Sequence, residues 1–165
     1  MSDGRIEVAE RDGVHVVRLV GDIRFTISHA LNQWLDQVLA DPDTGQILID
    51  MTPTTAIDST NLGVLARIAR HAREQGQPAP VIVVPDPSLI ELLRCICFDQ
   101  LFTLLDSADY SAGRLTELLP VEADEASTLA LVLEAHQRLS AIDQRNRDSF
   151  EELISLLTQQ AQNTD

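Results

Sequence analysis

Two short unbroken apolar runs, QILIDM at 46–51 and PVIVVP at 80–85, are each followed by a segment whose apolar residues recur at helical spacing. Runs of this kind suit strands covered on both faces, and strand-helix-strand succession implies parallel pairing through right-handed crossovers. After QILIDM and the turn residues TPTT, Leu62, Leu65, Ile68, Ala69 and Ala72 line one side of a helix closed by Gly76 and Pro78. PDPSLIELLRCICF reads as a helix with Pro87 near its first turn, and LFTLLD at 101–106 as a last strand. Upstream, RIEVAER and VHVVRLVG alternate around Asp12-Gly13 and form a β-hairpin. The period then changes: Ile27, Ala30, Leu31, Trp34, Leu35, Val38 and Leu39 make one apolar helical face, ended by Asp41-Pro42-Asp43. The order β-β-α-β-α-β-α-β predicts an α/β fold: a mixed sheet of roughly five strands, hairpin first and parallel core after, with helices packed on it.

The character changes beyond Asp106. DSADYSAGRLTELLP predicts a short closing helix stopped at Pro120, and EADEA an acidic joint. From there Leu129, Val132, Leu133, Leu139, Ile142, Phe150, Leu153, Ile154 and Leu157 predict helix nearly to the end. SAIDQRNRDS interrupts the apolar face and Asp148-Ser149-Phe150-Glu151 resembles a capping box, which predicts two helices. The expected organisation is a domain over 1–120 and a helical extension over 121–165, whose apolar face packs back on the domain or extends a partner surface.

The formal charge of −14 comes from 26 acidic residues against 12 basic ones, all arginine. Such a balance argues against nucleic acid and against an anionic membrane surface, both of which require a positive face. No apolar run approaches the ~20 residues that span a bilayer, and MSDGRIEVAERDG has no secretory character, so a cytoplasmic placement is expected. Cys95 and Cys97 lack metal-pair spacing and are expected as buried thiols. His15, His29, His71 and His136 are scattered, which predicts surface or boundary positions and no metal site.

The chemistry concentrates in AIDSTNLGVLARI at 56–68, where Asp58, Ser59, Thr60 and Asn61 head a helical pattern. A serine there can be an N-cap worth about 1 kcal/mol. On residue type and spacing alone the cap is the favoured role; the other is that of a phosphate acceptor, because the added ~−1.5 to −2 charges would meet free N–H groups and the positive end of the helix dipole. Arg67, Arg70 and Arg73 follow along the helix, as a solvated face or as a surface that steers an acidic partner. The chain has no G-x-S-x-G elbow, no P-loop and no G-x-G-x-x-G, so it is not read as an enzyme and no cofactor is expected.

ILIDMTPTTAIDSTNLGVLARIARHAREQG resembles the core of the STAS domain of bacterial anti-sigma factor antagonists: an apolar strand, a short loop, then Asp-Ser-Ser/Thr-Gly-Leu-Gly leading into a helix. The resemblance implies a binding switch. The unphosphorylated form captures an anti-sigma factor, often a serine protein kinase, and frees its sigma factor. Phosphorylation ends the capture, and a PP2C-type phosphatase restores it. The phosphoacceptor then falls on Ser59, with Asp58 as the acidic neighbour that holds the loop and Thr60 as the second hydroxyl. Leu62 would anchor the helix, Gly63 would let a partner backbone approach closely, and Arg67 joins the partner-binding set. Asn61 departs from the family glycine, an alteration expected to affect which kinase fits. The helical extension points to a subset whose partners switch motility and biofilm programmes. The alternative is a STAS scaffold or adaptor acting on a non-sigma target, with the Ser59 loop structural. The oligomeric state is left open, with a monomer favoured.

Overall fold

The computed structural model describes residues 3–163. Strands β1 (Arg5–Arg11) and β2 (Val14–Ile23) form the expected hairpin, and Asp12 and Gly13 both take positive φ, as a tight two-residue turn between twisted strands requires. A 3-10 turn over Phe25–Ile27 leads into α1 (Ser28–Ala40). Then come β3 (Ile47–Asp50), β4 (Thr54–Ile57), α2 (Ser59–Glu74), β5 (Val81–Val83), α3 (Pro87–Cys95), β6 (Thr103–Leu105), β7 (Thr116–Glu117), α4 (Glu125–Ser140) and α5 (Gln144–Gln162). The sheet order is β6-β5-β3-β2-β1-β7, with β4 paired to β2 beside β3. β3, β5 and β6 run parallel to one another and β3 parallel to β2, the crossover arrangement the apolar runs imply.

Four expectations give way to the structure. Among the described residues the sheet has seven strands, because the supposed turn TPTT continues into β4 and a second short strand, β7, lies beyond β6. Thr54 and Thr55 have high strand propensity, and the partner that fixes them is remote in sequence: β2 pairs with β3 over His15–Arg18 and with β4 over Gly21–Ile23, the β4 ladder shifting register between Gly21 and Asp22. Gly21 supplies the positive φ for that shift, and Thr54 Oγ1 donates to the Leu19 carbonyl at 2.7 Å.

The closing helix over 106–120 does not form. Gly113 adopts φ 69, and Thr116–Glu117 pair antiparallel with the free edge of β1, so edge pairing overrides the apolar spacing of Leu115, Leu118 and Leu119. The segment is anchored by Tyr110, whose hydroxyl donates to the buried carboxylate of Asp50; Arg18 Nε donates to the same oxygen at 3.1 Å and the Thr52 N–H to the other at 2.9 Å.

Two helices do follow among the described residues, but α5 begins at Gln144, four residues before the capping-box signature opens at Asp148. Asp143 caps it by accepting from the Arg145 N–H at 2.9 Å, and Asp148 lies inside the helix, accepting from Gln144 at 2.8 Å. The apolar core runs from the sheet through α1, α2 and α3 and takes in Leu131 and Leu139 of α4. Cys97 is buried as expected, whereas Cys95, two residues earlier at the end of α3, is exposed. No helix among the described residues is long and apolar enough to cross a membrane.

Burial raises the Asp50 carboxyl, but hydrogen bonds from Thr52, Tyr110 and Arg18 outweigh it and hold the group below its ordinary value. A depressed folded-state value contributes stability that is present above the unfolded carboxylate range and lost as pH falls through the folded value. Tyr110→Phe is expected to lower stability at pH 7 by about 1.5–3 kcal/mol, the scale of a hydrogen bond to a charged group. It should also flatten the loss of stability on acidification; urea midpoints at neutral and acid pH check both outcomes.

Candidate functional site

The head of α2 is set from below by the sheet. Ile57, the last residue of β4, pairs with Ile23 at the end of β2, and the Asp58 N–H donates to the Ile23 carbonyl at 3.0 Å. Asp58 has extended backbone and is the N-cap: its Oδ1 accepts from the Asn61 N–H and from the Asn61 side-chain amide, both at 2.9 Å. The capping role open to Ser59 therefore belongs to Asp58, and Ser59 is the first helical residue.

That displacement frees the Ser59 hydroxyl for another partner. Its Oγ lies 2.8 Å from Nε2 of His136 on α4, and His136 Nδ1 lies 2.7 Å from the Val132 carbonyl. A carbonyl only accepts, so Nδ1 carries the proton; in the neutral ring Nε2 is then an acceptor, and Ser59 is the donor. His136 is only 2 % exposed and its ring meets Phe150 of α5 edge-on at 5.4 Å. The sequence gives no sign of this pairing across 77 residues, and the surface or boundary position expected for His136 is wrong. His15, His29 and His71 do sit at partly exposed positions.

One turn further along, the two helices touch backbone to backbone. A Cβ built on Gly63 would lie 2.3 Å from the Ala135 carbonyl oxygen and 2.6 Å from the Ala135 Cβ. Gly63 thus admits a close helix approach, and the helix it admits is the chain's own α4.

Thr60, Asn61 and Leu62 are buried, Leu62 among the core residues. The side-chain oxygen of Asn61 has no hydrogen-bond partner although it is buried. Its amide group braces Asp58 instead of facing outward. Arg67 is not part of a solvated face: it donates to the carbonyl and the side-chain oxygen of Asn32 at 3.1 and 2.6 Å and pairs with Asp36 at 2.7 Å, tying α2 to α1. Arg70 is exposed and paired with Glu74, and Arg73 is exposed. Across the seam stands Arg138 of α4. Burial and the neighbouring charge of Arg67 and Arg70 push its guanidinium below the ordinary value, against the opposing pull of Glu134 and Asp36. Its Nη1 is buried without a partner.

Ser59 and His136 have the reach of a nucleophile and a base. They sit, however, where α4 is in backbone contact with α2, and the Val132 carbonyl that orients the ring belongs to the same helix. Among the described residues no group of three or more His, Cys, Asp or Glu is placed to hold a metal ion.

The STAS domain family model matches residues 5–110 and so ends ahead of α4. Among solved structures, the unphosphorylated form of the anti-sigma factor antagonist SpoIIAA superposes with a TM-score of 0.53 at 12 % identity, covering 62 % of this chain and 89 % of that one. A putative anti-sigma factor antagonist from Thermotoga maritima gives 0.53 at 20 % identity, covering 61 % and 85 %. An anti-sigma factor antagonist from Mycobacterium paratuberculosis gives 0.52 at 24 % identity, covering 65 % and 89 %. Likeness at these identities concerns the fold, and the family rests on the match to most of the chain. With the β2–β4 register and the Asp58-capped helix in place, this chain belongs to the STAS domain family.

Proposed function

We propose that the protein is an anti-sigma factor antagonist: unphosphorylated, it binds an anti-sigma factor or serine-kinase partner through the head of α2 and so releases a sigma factor. Phosphorylation of Ser59 ends that binding, and a PP2C-type phosphatase reverses it. The observation that carries this reading is the division of labour between Asp58 and Ser59. Asp58 does the capping, which leaves a half-buried hydroxyl at the first helical position with no part in holding the helix. A phosphate there would stand at the positive end of a 16-residue helix, so charge could be added without melting the fold. Asp58, Thr60, Asn61, Leu62, Gly63 and Arg67 complete the switch. Asp58 and Arg67 fix the helix against the sheet and α1, and Gly63 provides close approach. The role is binding, without catalysis and without a cofactor, in the cytoplasm.

A second reading has its own observation. The hydrogen bond between Ser59 and His136 makes the serine part of a helix-helix contact, as expected of a structural loop in a scaffold or adaptor acting on a target other than a sigma factor.

Incubated with its cognate kinase and ATP, the protein is expected to take up one phosphate, and peptide mapping should place it on Ser59; a phosphate on any other residue overturns the assignment. Used as baits, Ser59→Ala should retain the partner and Ser59→Asp should lose it. Equal recovery by the two favours the adaptor reading.

A further inference from the structure

The face of α2 that presents Ser59 is already occupied. Ser59 Oγ is bound to His136, Gly63 is in contact with the Ala135 backbone, and at the N-terminal end of α4 Thr128 Oγ1 lies 3.1 Å from His29 Nε2 of α1. The hairpin partner α5 completes the cover: the Asn146 amide donates to the Ile96 and Leu139 carbonyls at 2.7 and 2.9 Å, and Arg145 Nη2 lies 3.0 Å from the buried Cys97 Sγ. We infer that the α4–α5 hairpin is a resident, displaceable occupant of the partner-binding face, and that an external helix reaches Ser59 only by replacing α4.

This rests on the reading of α2 as the partner face, and three features of the seam support it. The family match ends before α4, so the covered face belongs to the domain and the cover lies outside the match. Gly63 is a receptor for a helix backbone, a shape that any helix with a small residue at the crossing can use. The seam also holds a poorly satisfied charge: Arg138 of the occupant is half-buried, the charges of Arg67 and Arg70 and those of Glu134 and Asp36 act on it in opposite directions, and among the described residues its Nη1 is buried without a partner. Burying a charged group whose hydrogen bonds are incompletely met is unfavourable. The replacing partner is accordingly a helix with a small residue over Gly63, a proton acceptor over Ser59, and an uncharged side chain where α4 carries Arg138.

Cys97 reports on the hairpin. It is buried beneath the start of α5, while Cys95 is exposed, so in a Cys95→Ser background its reaction with a thiol reagent measures hairpin opening. In that full-length background, Gly63→Ala should speed labelling of Cys97 roughly tenfold, on the scale of an overpacked contact. Arg138→Met should slow it by about threefold, since the unpartnered buried nitrogen is removed while the aliphatic contact is kept; the Glu134 pair it forfeits is half exposed and worth little. Hydrogen exchange should show α4 and α5 amides deprotected in Gly63→Ala while β2, β3 and α2 keep their protection. Ala135→Leu, which perturbs the same crossing from the α4 side, should reproduce the Gly63→Ala result.

The inference is overturned if Gly63→Ala and Ala135→Leu leave labelling and exchange unchanged, if Arg138→Met moves labelling in the same direction as Gly63→Ala, or if sheet and hairpin lose protection together. None of these readouts involves a partner or a kinase. Failure of the Ser59→Ala and Ser59→Asp baits to differ would remove the functional reading and leave the hairpin measurement standing.

Discussion

Two helix backbones meet at Gly63 with no side chain between them, and the arrangement around Ser59 depends on that contact. Because the Ala135 carbonyl rests against Gly63, the next residue, His136, is carried to Ser59, and the α4 backbone supplies the carbonyl that orients its ring. Any side chain at position 63 would lift α4 and take the imidazole with it. Gly63, proposed above as a place of approach for a partner backbone, is thus used within the chain, and the Ser59 hydroxyl, proposed as the phosphoacceptor, is used as a hydrogen-bond donor.

Beneath this contact the sheet holds the helix tip in place. β2 is long enough to pair with β3 along its first half and, after the glycine at 21, with β4 along its second. The strand that precedes the switch residues is therefore hydrogen-bonded almost to Asp58, and Asp58 itself bonds both back to Ile23 and forward to Asn61. A helix start held from both sides keeps its own geometry when its next residue takes or loses a charge, since nothing in that support runs through the Ser59 side chain, and the rearrangement falls on α4, whose His136 holds the hydroxyl.

Much of this was legible from local signals. Unbroken apolar runs gave β3 and β5, Asp12-Gly13 gave the hairpin turn, Pro87 the start of α3, and Asp58-Ser59 the head of α2. What escaped depends on partners remote in sequence. Thr54–Ile57 is a strand because β2 bends to meet it, and 106–120 is extended because β1 has an open edge and Asp50 binds Tyr110. Asp143 and Asp148 both suit a helix start, and what selects Asp143 is a brace from outside the helix, Gln100 five residues beyond the end of α3, whereas Asp148 is bonded to Gln144 within it. His136 could not have been found by spacing, since its partner lies on another helix 77 residues away. The one available signal was a polar residue within the apolar face of α4, between Leu131 and Leu139.

The hydrogen bond between the Ser59 hydroxyl and Nε2 of His136 is the point on which the proposed sequestration of Ser59 turns. Nitrogen-15 NMR of the imidazole reads it directly: the expected result is a neutral ring protonated at Nδ1, with an Nε2 resonance that shifts when Ser59 is replaced by alanine. A ring protonated at Nε2, or an Nε2 signal indifferent to Ser59→Ala, would contradict the account.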